Sequence, residues 1–267
     1  MSIKRDPSGR RSIQAEAEVP GTPEEVWEAI ATGPGIGSWF YPTDVEERVG
    51  GKLAYHTGSE MDHIPAKVTA WDPPRRFRHE GKDCGPEGPP TATEWTIEPR
   101  AGGRCLVRVV HSLFASTDDW DDQLENFEAG WPQALVVLRL YLTHFRDRRA
   151  SILRAYGAFD GSVDEAWTAL LAALDARGLV AGDAWTLSAS GSASLAGVLE
   201  EVHATSRQPT AFFRTREPAP GIAAACAYKI AERATVVLSI YLYGDAGPEA
   251  AASGEPAWQA WMKARFP

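Results

Sequence analysis

Cysteine is scarce in this chain of 267 residues: three in all, Cys84, Cys105 and Cys226, widely separated and odd in number. Such a set builds neither a disulfide framework nor a Cys-x-x-Cys metal or redox pair, and it fits a reducing cytoplasm, the compartment expected here. Long apolar runs are missing too. No stretch approaches the roughly 18 residues of a membrane span, and the opening MSIKRDPSGRRSIQ holds no apolar signal segment. The expectation is a chain neither exported nor inserted into a membrane. Positive charge is in deficit: 27 Lys and Arg against 36 Asp and Glu leave a net charge of −9. A molecule so charged repels a phosphate backbone, which argues against nucleic acid as a partner.

Apolar and aromatic residues, by contrast, are plentiful. The chain is 44% hydrophobic and 24% charged, with 10 Trp, 7 Tyr and 9 Phe. That profile excludes disorder, collagen and coiled coil and predicts a folded globular protein. At about 150 residues per domain, the length predicts two modest domains or one large one.

Ser12 to Val19 alternates, with Ile13, Ala15, Ala17 and Val19 on one face, the period of a half-buried strand. Thr22-Pro23-Glu24-Glu25 is a capping box with proline at the first helical position, which places Val26, Trp27, Ala29 and Ile30 on a short helix ended by Gly33-Pro34-Gly35. From Thr43 to Leu113 short strands alternate with turn residues, the signature of an antiparallel meander. Leu53 and Tyr55, Phe77 and His79, Thr93, Trp95 and Ile97, and Val107, Val109 and His111 fall on its covered face. After an acidic loop, Trp131, Leu135, Leu138, Leu142 and Phe145 recur at helical spacing, with Pro132 near the helix start. A strand, a helical insertion, a curved antiparallel sheet and one long helix make a helix-grip arrangement, in which a cavity lies between sheet and helix.

These segments carry a resemblance. Val19-Pro20 before the Thr22 to Trp27 helix start, Ser38-Trp39-Phe40, Gly50-Gly51-Lys52-Leu53, Val68 to Pro74, Trp95-Thr96-Ile97, Val109 to Ser112 and Gly130-Trp131 occur in order. Through residues 12 to 147 the chain resembles the family related to the activator of the heat-shock protein 90 ATPase, within the START-like (SRPBCC) helix-grip superfamily. The resemblance implies a cavity-bearing domain and no shared catalytic residues.

Gly161-Ser162-Val163-Asp164-Glu165-Ala166-Trp167 repeats Gly21 to Trp27 position for position, both being capping boxes with Trp at the same step. Gly197, Leu199 and Val202 resemble Ala66, Val68 and Trp71. Thr235 to Tyr243 resembles Leu106 to Phe114, and Trp258 with Trp261 lies on a short last helix like the one at Trp131. The expected organisation is α+β: a START-like unit over residues 1–150, its curved antiparallel sheet wrapped on a long helix, then a degenerate, trimmed second copy over 151–267. This copy lacks a counterpart of Ser38-Trp39-Phe40, so a structural or docking role suits it better than a ligand site of its own. Residues 148–158 hold no Gly, Ser or Pro run, so the linker is expected to be short.

Candidate chemistry is sparse. His56, His63, His79 and His111 pair with no other ligand at metal-binding spacing, and no metal or cofactor is expected. His111 points inward, where it either packs as a core histidine or orients a polar ligand group. Gly33 to Gly37 follows a helix rather than a strand and lacks the dinucleotide-binding order, which leaves it a loop between helices. Asp118 to Asp122 reads as a solvated acidic loop, and Cys105 as a small buried hydrophobe. The aromatic set is the better signal. Trp39, Phe40, Tyr55, Phe77, Trp95, His111, Trp131 and Leu135 fall where a helix-grip cavity has its walls or lid.

The leading expectation is therefore a non-enzymatic cytoplasmic protein, a tandem repeat whose first unit binds a small apolar or aromatic molecule. Two alternatives stand beside it. One is an interaction protein similar to the chaperone activator, docking on an ATPase or another protein; the other is an enzyme resembling the superfamily's cyclases and aromatases, with His111 or Tyr55 as acid or base.

Overall fold

A computed structural model of the chain describes residues 4–5, 10–57, 64–82, 88–114, 121–189, 193–230 and 233–267. His63, Cys84 and Asp118 to Trp120 lie outside the described residues. The chain divides into two compact units, residues 1–147 and 148–267.

The first unit carries strands β1 (Lys4–Arg5), β2 (Arg11–Pro20), β3 (Thr43–Val45), β4 (Lys52–Tyr55), β5 (Ile64–Asp72), β6 (Arg76–Gly81), β7 (Thr91–Arg100) and β8 (Arg104–Leu113). Its helices are α1 (Pro23–Ala31), α2 (Gly33–Ile36) and α3 (Asp121–His144). The antiparallel sheet runs β1-β2-β8-β7-β6-β5-β4-β3, so the meander ends beside the strand with which it began. The predicted alternation fixes which face is covered: Leu53, Phe77, His79, Trp95, Val107, Val109 and His111 are buried. On the wet face, Arg76 pairs with Glu94, Arg108 with Glu16 and Arg104 with Glu18. Such exposed pairs contribute about 0–1 kcal/mol each.

Helix α1 starts as its sequence dictates. The Thr22 hydroxyl accepts from the Glu25 N–H at 3.3 Å, and the Glu25 carboxylate accepts from the Thr22 N–H at 2.7 Å. Gly21 before it has φ +130°, a conformation open to glycine, and Arg146 from beyond α3 pairs with the Glu25 carboxylate. Trp131, Leu135, Leu138, Leu142 and Phe145 are buried along α3, whose backbone lies closest to β2 and β8.

Two boundaries differ from expectation. Gly33 to Ile36 forms a helical turn rather than a loop, its first turn capped by the Thr32 hydroxyl accepting from the Gly35 N–H at 3.0 Å. Helix α3 covers Asp121–His144 among the described residues, so Asp121 and Asp122 belong to a helix and Pro132 lies well inside it rather than near its start.

The second unit holds β9 (Ala150–Phe159), α4 (Val163–Ala173), β10 (Ala184–Ser188), β11 (Ser194–His203), β12 (Thr210–Glu217), β13 (Gly221–Ile230), β14 (Arg233–Tyr243) and α5 (Gly247–Lys263). Its antiparallel sheet runs β10-β11-β12-β13-β14-β9, again with the first strand paired to the last. Ser162 and Glu165 form a second reciprocal capping box, at 2.9 and 3.2 Å. Strand β11 bulges after Leu199 where β5 bulges after Val68. This is the helix-grip fold twice over, the second copy trimmed: it has no counterpart of α2 and β3 among the described residues, and α5 spans 17 residues against 24 in α3. The β9 edge is sealed by Gln259, which accepts from the Tyr156 N–H at 3.2 Å and donates to the Tyr156 carbonyl at 2.9 Å. Among the described residues, no helix is long and apolar enough to cross a membrane.

Candidate ligand site in the first unit

The covered face of the first sheet carries a polar row among apolar neighbours. In register, His79 on β6 faces Thr93 on β7, and Thr93 faces His111 on β8. The Tyr55 hydroxyl is hydrogen-bonded to His79 Nε2 at 3.0 Å, and the Thr93 hydroxyl to His111 Nδ1 at 2.9 Å. His79, Thr93 and His111 are each at most 2% exposed. Burial above all, then the charges of His111 and Arg78, pushes the His79 pKa down to about 3; burial pushes His111 down to about 4. Both imidazoles are therefore neutral at pH 7 and act as hydrogen-bonding groups rather than cations.

Aromatic rings surround the row. Trp39 meets Trp95 edge to face at 6.1 Å, Trp95 meets Trp131 in the same way at 5.3 Å, and Phe40 stacks on Trp131 at 5.6 Å. Phe40 also meets Tyr55 at 6.0 Å, and Phe77 lies 5.5 Å from the His79 ring. Seven of the eight expected site residues thus enter one ring cluster: Trp39, Phe40, Tyr55, Phe77, Trp95, His111 and Trp131. Leu135 is buried one helical turn beyond Trp131 on α3. At the level of Trp95 and Trp131 the rings touch one another across the gap between sheet and helix, where open space was expected.

Anchoring differs between Trp39 and Phe40. Trp39 is fixed, because its indole N–H donates to the Ala29 carbonyl at 2.8 Å and the ring is 1% exposed. Phe40, the next residue, is only partly buried and has no polar anchor of this kind on its ring.

Sequence reasoning left three participants out of the site. His79 and Thr93 were placed on the covered face, yet their roles depend on bonds to Tyr55 and His111 that only the register reveals. Phe127, whose ring lies 4.2 Å from that of His111, sits one turn before Trp131 on α3. Extending the apolar period of α3 backwards from Trp131 would have found it. Cys105 is buried as expected, its thiol 3.4 Å from the Gly21 carbonyl, and burial raises its pKa. His56 lies apart from the row, bonded to the exposed Asp44 at 2.9 Å.

The second unit supplies an internal comparison. Ile13 and Leu153 stand at the same distance before their N-caps, Thr22 and Ser162, and pair with His111 and Ile240 respectively. Following the registers outward, Ala223 occupies the place of Thr93 and Phe213 that of His79. At the far side, Leu187 stands where Tyr55 does. The same chain of pairs puts Ala225 at the place of Trp95 and Ala211 at that of Phe77. All four polar members of the row are thus apolar in the second copy. Its core is built from side chains such as Leu170, Trp185, Phe213, Trp258, Trp261 and Met262.

Residues 20–143 match the model of the family described as Activator of Hsp90 ATPase homolog 1-like protein. No curated protein matches the chain. Among solved structures, DynU16 of the dynemicin biosynthetic locus is similar at 17% identity, over 94% of this chain and 95% of its own, with TM-score 0.45. The di-domain ARO/CYC BexL from the BE-7585A biosynthetic pathway is similar at 14% identity, over 96% of this chain and 98% of its own, with TM-score 0.46. CalU16 from Micromonospora echinospora is similar at 22% identity, over 53% of this chain and 83% of its own, with TM-score 0.43.

Proposed function

The first unit belongs to the family of Activator of Hsp90 ATPase homolog 1-like proteins, and from that premise we propose that it is the ligand-binding half of this chain. Its ligand is a small hydrophobic or aromatic molecule held between the β4–β8 face and α3. One observation carries this reading: the row of Tyr55, His79, Thr93 and His111 exists in one copy of the fold and is replaced by Leu187, Phe213, Ala223 and Ile240 in the other. Polar groups taken out of water recover at best a small net gain from their hydrogen bonds. The second copy folds with apolar side chains in their place, so the row serves something other than folding.

The ring contacts support one route of entry. Phe40 occupies the face of Trp131 that a planar molecule would use, and it is partly exposed. A ligand takes its place while Trp39, Trp95 and Trp131 remain as walls. The lowered basicity of both histidines favours binding over proton abstraction, because a base titrating near 3 or 4 is poorly matched to work at neutral pH.

The test is native mass spectrometry of the full chain purified gently from its own cytosol, beside a variant carrying Thr93→Ala and His111→Ile, the pair present in the second unit. The wild type should carry a reproducible adduct of small-molecule mass, and the variant should fold and fly bare. A bare wild type, or an adduct that survives in the folded variant, overturns the reading.

A further inference from the structure

Two buried indole nitrogens of the chain have backbone acceptors. Trp39 Nε1 donates to the Ala29 carbonyl at 2.8 Å, and Trp185 Nε1 to the Leu174 carbonyl at 2.7 Å. Trp131 differs: it is 8% exposed, and its buried Nε1 has no hydrogen-bond partner among the described residues. Its ring is bounded by Phe40, Trp95 and His111, which places the indole inside the site rather than at its rim. A buried donor left without an acceptor is destabilising, and a bound molecule that brings an acceptor removes that penalty.

We propose that Trp131 is a specificity-determining residue of the ligand site, donating its indole N–H to a neutral oxygen, a carbonyl or an ether, set on the otherwise apolar ring system of the ligand; this rests on the binding reading above. A carboxylate fits poorly. The two histidines beside the site carry no charge at neutral pH, and Arg78, whose charge reaches His79, is already paired with Glu80 and Glu94. A neutral oxygen gains a hydrogen bond there without burying an uncompensated charge. Trp261 is the internal control: its Nε1 is also buried without a partner, but it belongs to the apolar core of the second unit.

The probes are 2-acetylnaphthalene and 2-ethylnaphthalene, matched in size and differing in the carbonyl oxygen, titrated calorimetrically into the full chain. The ketone should bind about five- to tenfold more tightly than the hydrocarbon, the usual worth of one hydrogen bond. In Trp131→Phe the preference should be lost or reversed, because the ketone oxygen is then buried without a donor, with hydrocarbon affinity changed less than about twofold. On the wild type, the Trp131 indole 1H signal should lie further downfield with the ketone than with the hydrocarbon, whose ring current acts alone, while that of Trp261 stays fixed. This readout decides the matter even if the variant fails to fold. Equal binding of both probes to the wild type, a preference that persists in Trp131→Phe, or the same Trp131 shift with both probes overturns the inference and leaves the binding reading standing. Failure of both probes to bind up to their solubility limits overturns the two together.

Discussion

Burying His79 and His111 uncharged ties the first unit to pH, because the unfolded chain takes up two protons that the folded one refuses. Their folded pKa values, about 3 and about 4, lie below the ordinary value of 6.5. Their contribution to stability is therefore complete above pH 6.5 and is lost as the pH falls from there toward 4 and then 3. Within that window the loss amounts to about 1.4 kcal/mol per pH unit for each histidine. Urea midpoints measured between pH 7 and 4.5 should fall steeply in the wild type and less steeply in His111→Ile. Equal slopes in the two proteins would contradict this. At this scale the sequence was half legible. Alternation told which side chains face inward, since a period of two is local. That Tyr55 reaches His79, 24 positions along the chain, depends on a three-strand register no local pattern carries.

Among the elements, α3 and the segment after α2 decide whether the site is open. The helix runs 24 residues, yet its first ten, Asp121 to Gly130, are mostly polar, with Leu124 and Phe127 alone continuing the apolar stripe. That is why the strong period from Trp131 onward made the helix look shorter, and why Pro132 looked like its beginning. The capping boxes, by contrast, were fully legible, because each is a contact between residues three apart. Phe40→Ala should tighten binding of 2-ethylnaphthalene several-fold, since the ligand no longer has to displace a ring from Trp131, while lowering the melting temperature by roughly a few degrees for the lost burial. Weaker binding in that variant would show Phe40 to be a wall of the site rather than its stopper.

For the whole molecule, the leading sequence-level signal of the duplication was Gly21 to Trp27 echoed in Gly161 to Trp167, with the later strand and Trp258 correspondences behind it. The architecture followed, because a capped helix inserted after a first strand leaves the meander little choice but to return and pair with that strand. What stayed hidden was the chemical divergence of the copies, since aligning Ile240 with His111 or Phe213 with His79 requires the strand pairings. With its row apolar and its edge sealed by Gln259, the second copy shows how the same scaffold packs when no polar row is kept inside it.

That contrast reads as a trade between usefulness and durability. A protein that keeps a place for a guest gives up cohesion there, and a duplicate relieved of that duty is free to accumulate side chains that simply fit. Amide hydrogen exchange should register the debt directly, with β7 and β8 opening more readily than β13 and β14, and with a bound guest slowing only the former pair. On this view the trimmed copy is no relic. It is the same scaffold with its interior filled by side chains that pack without polar partners.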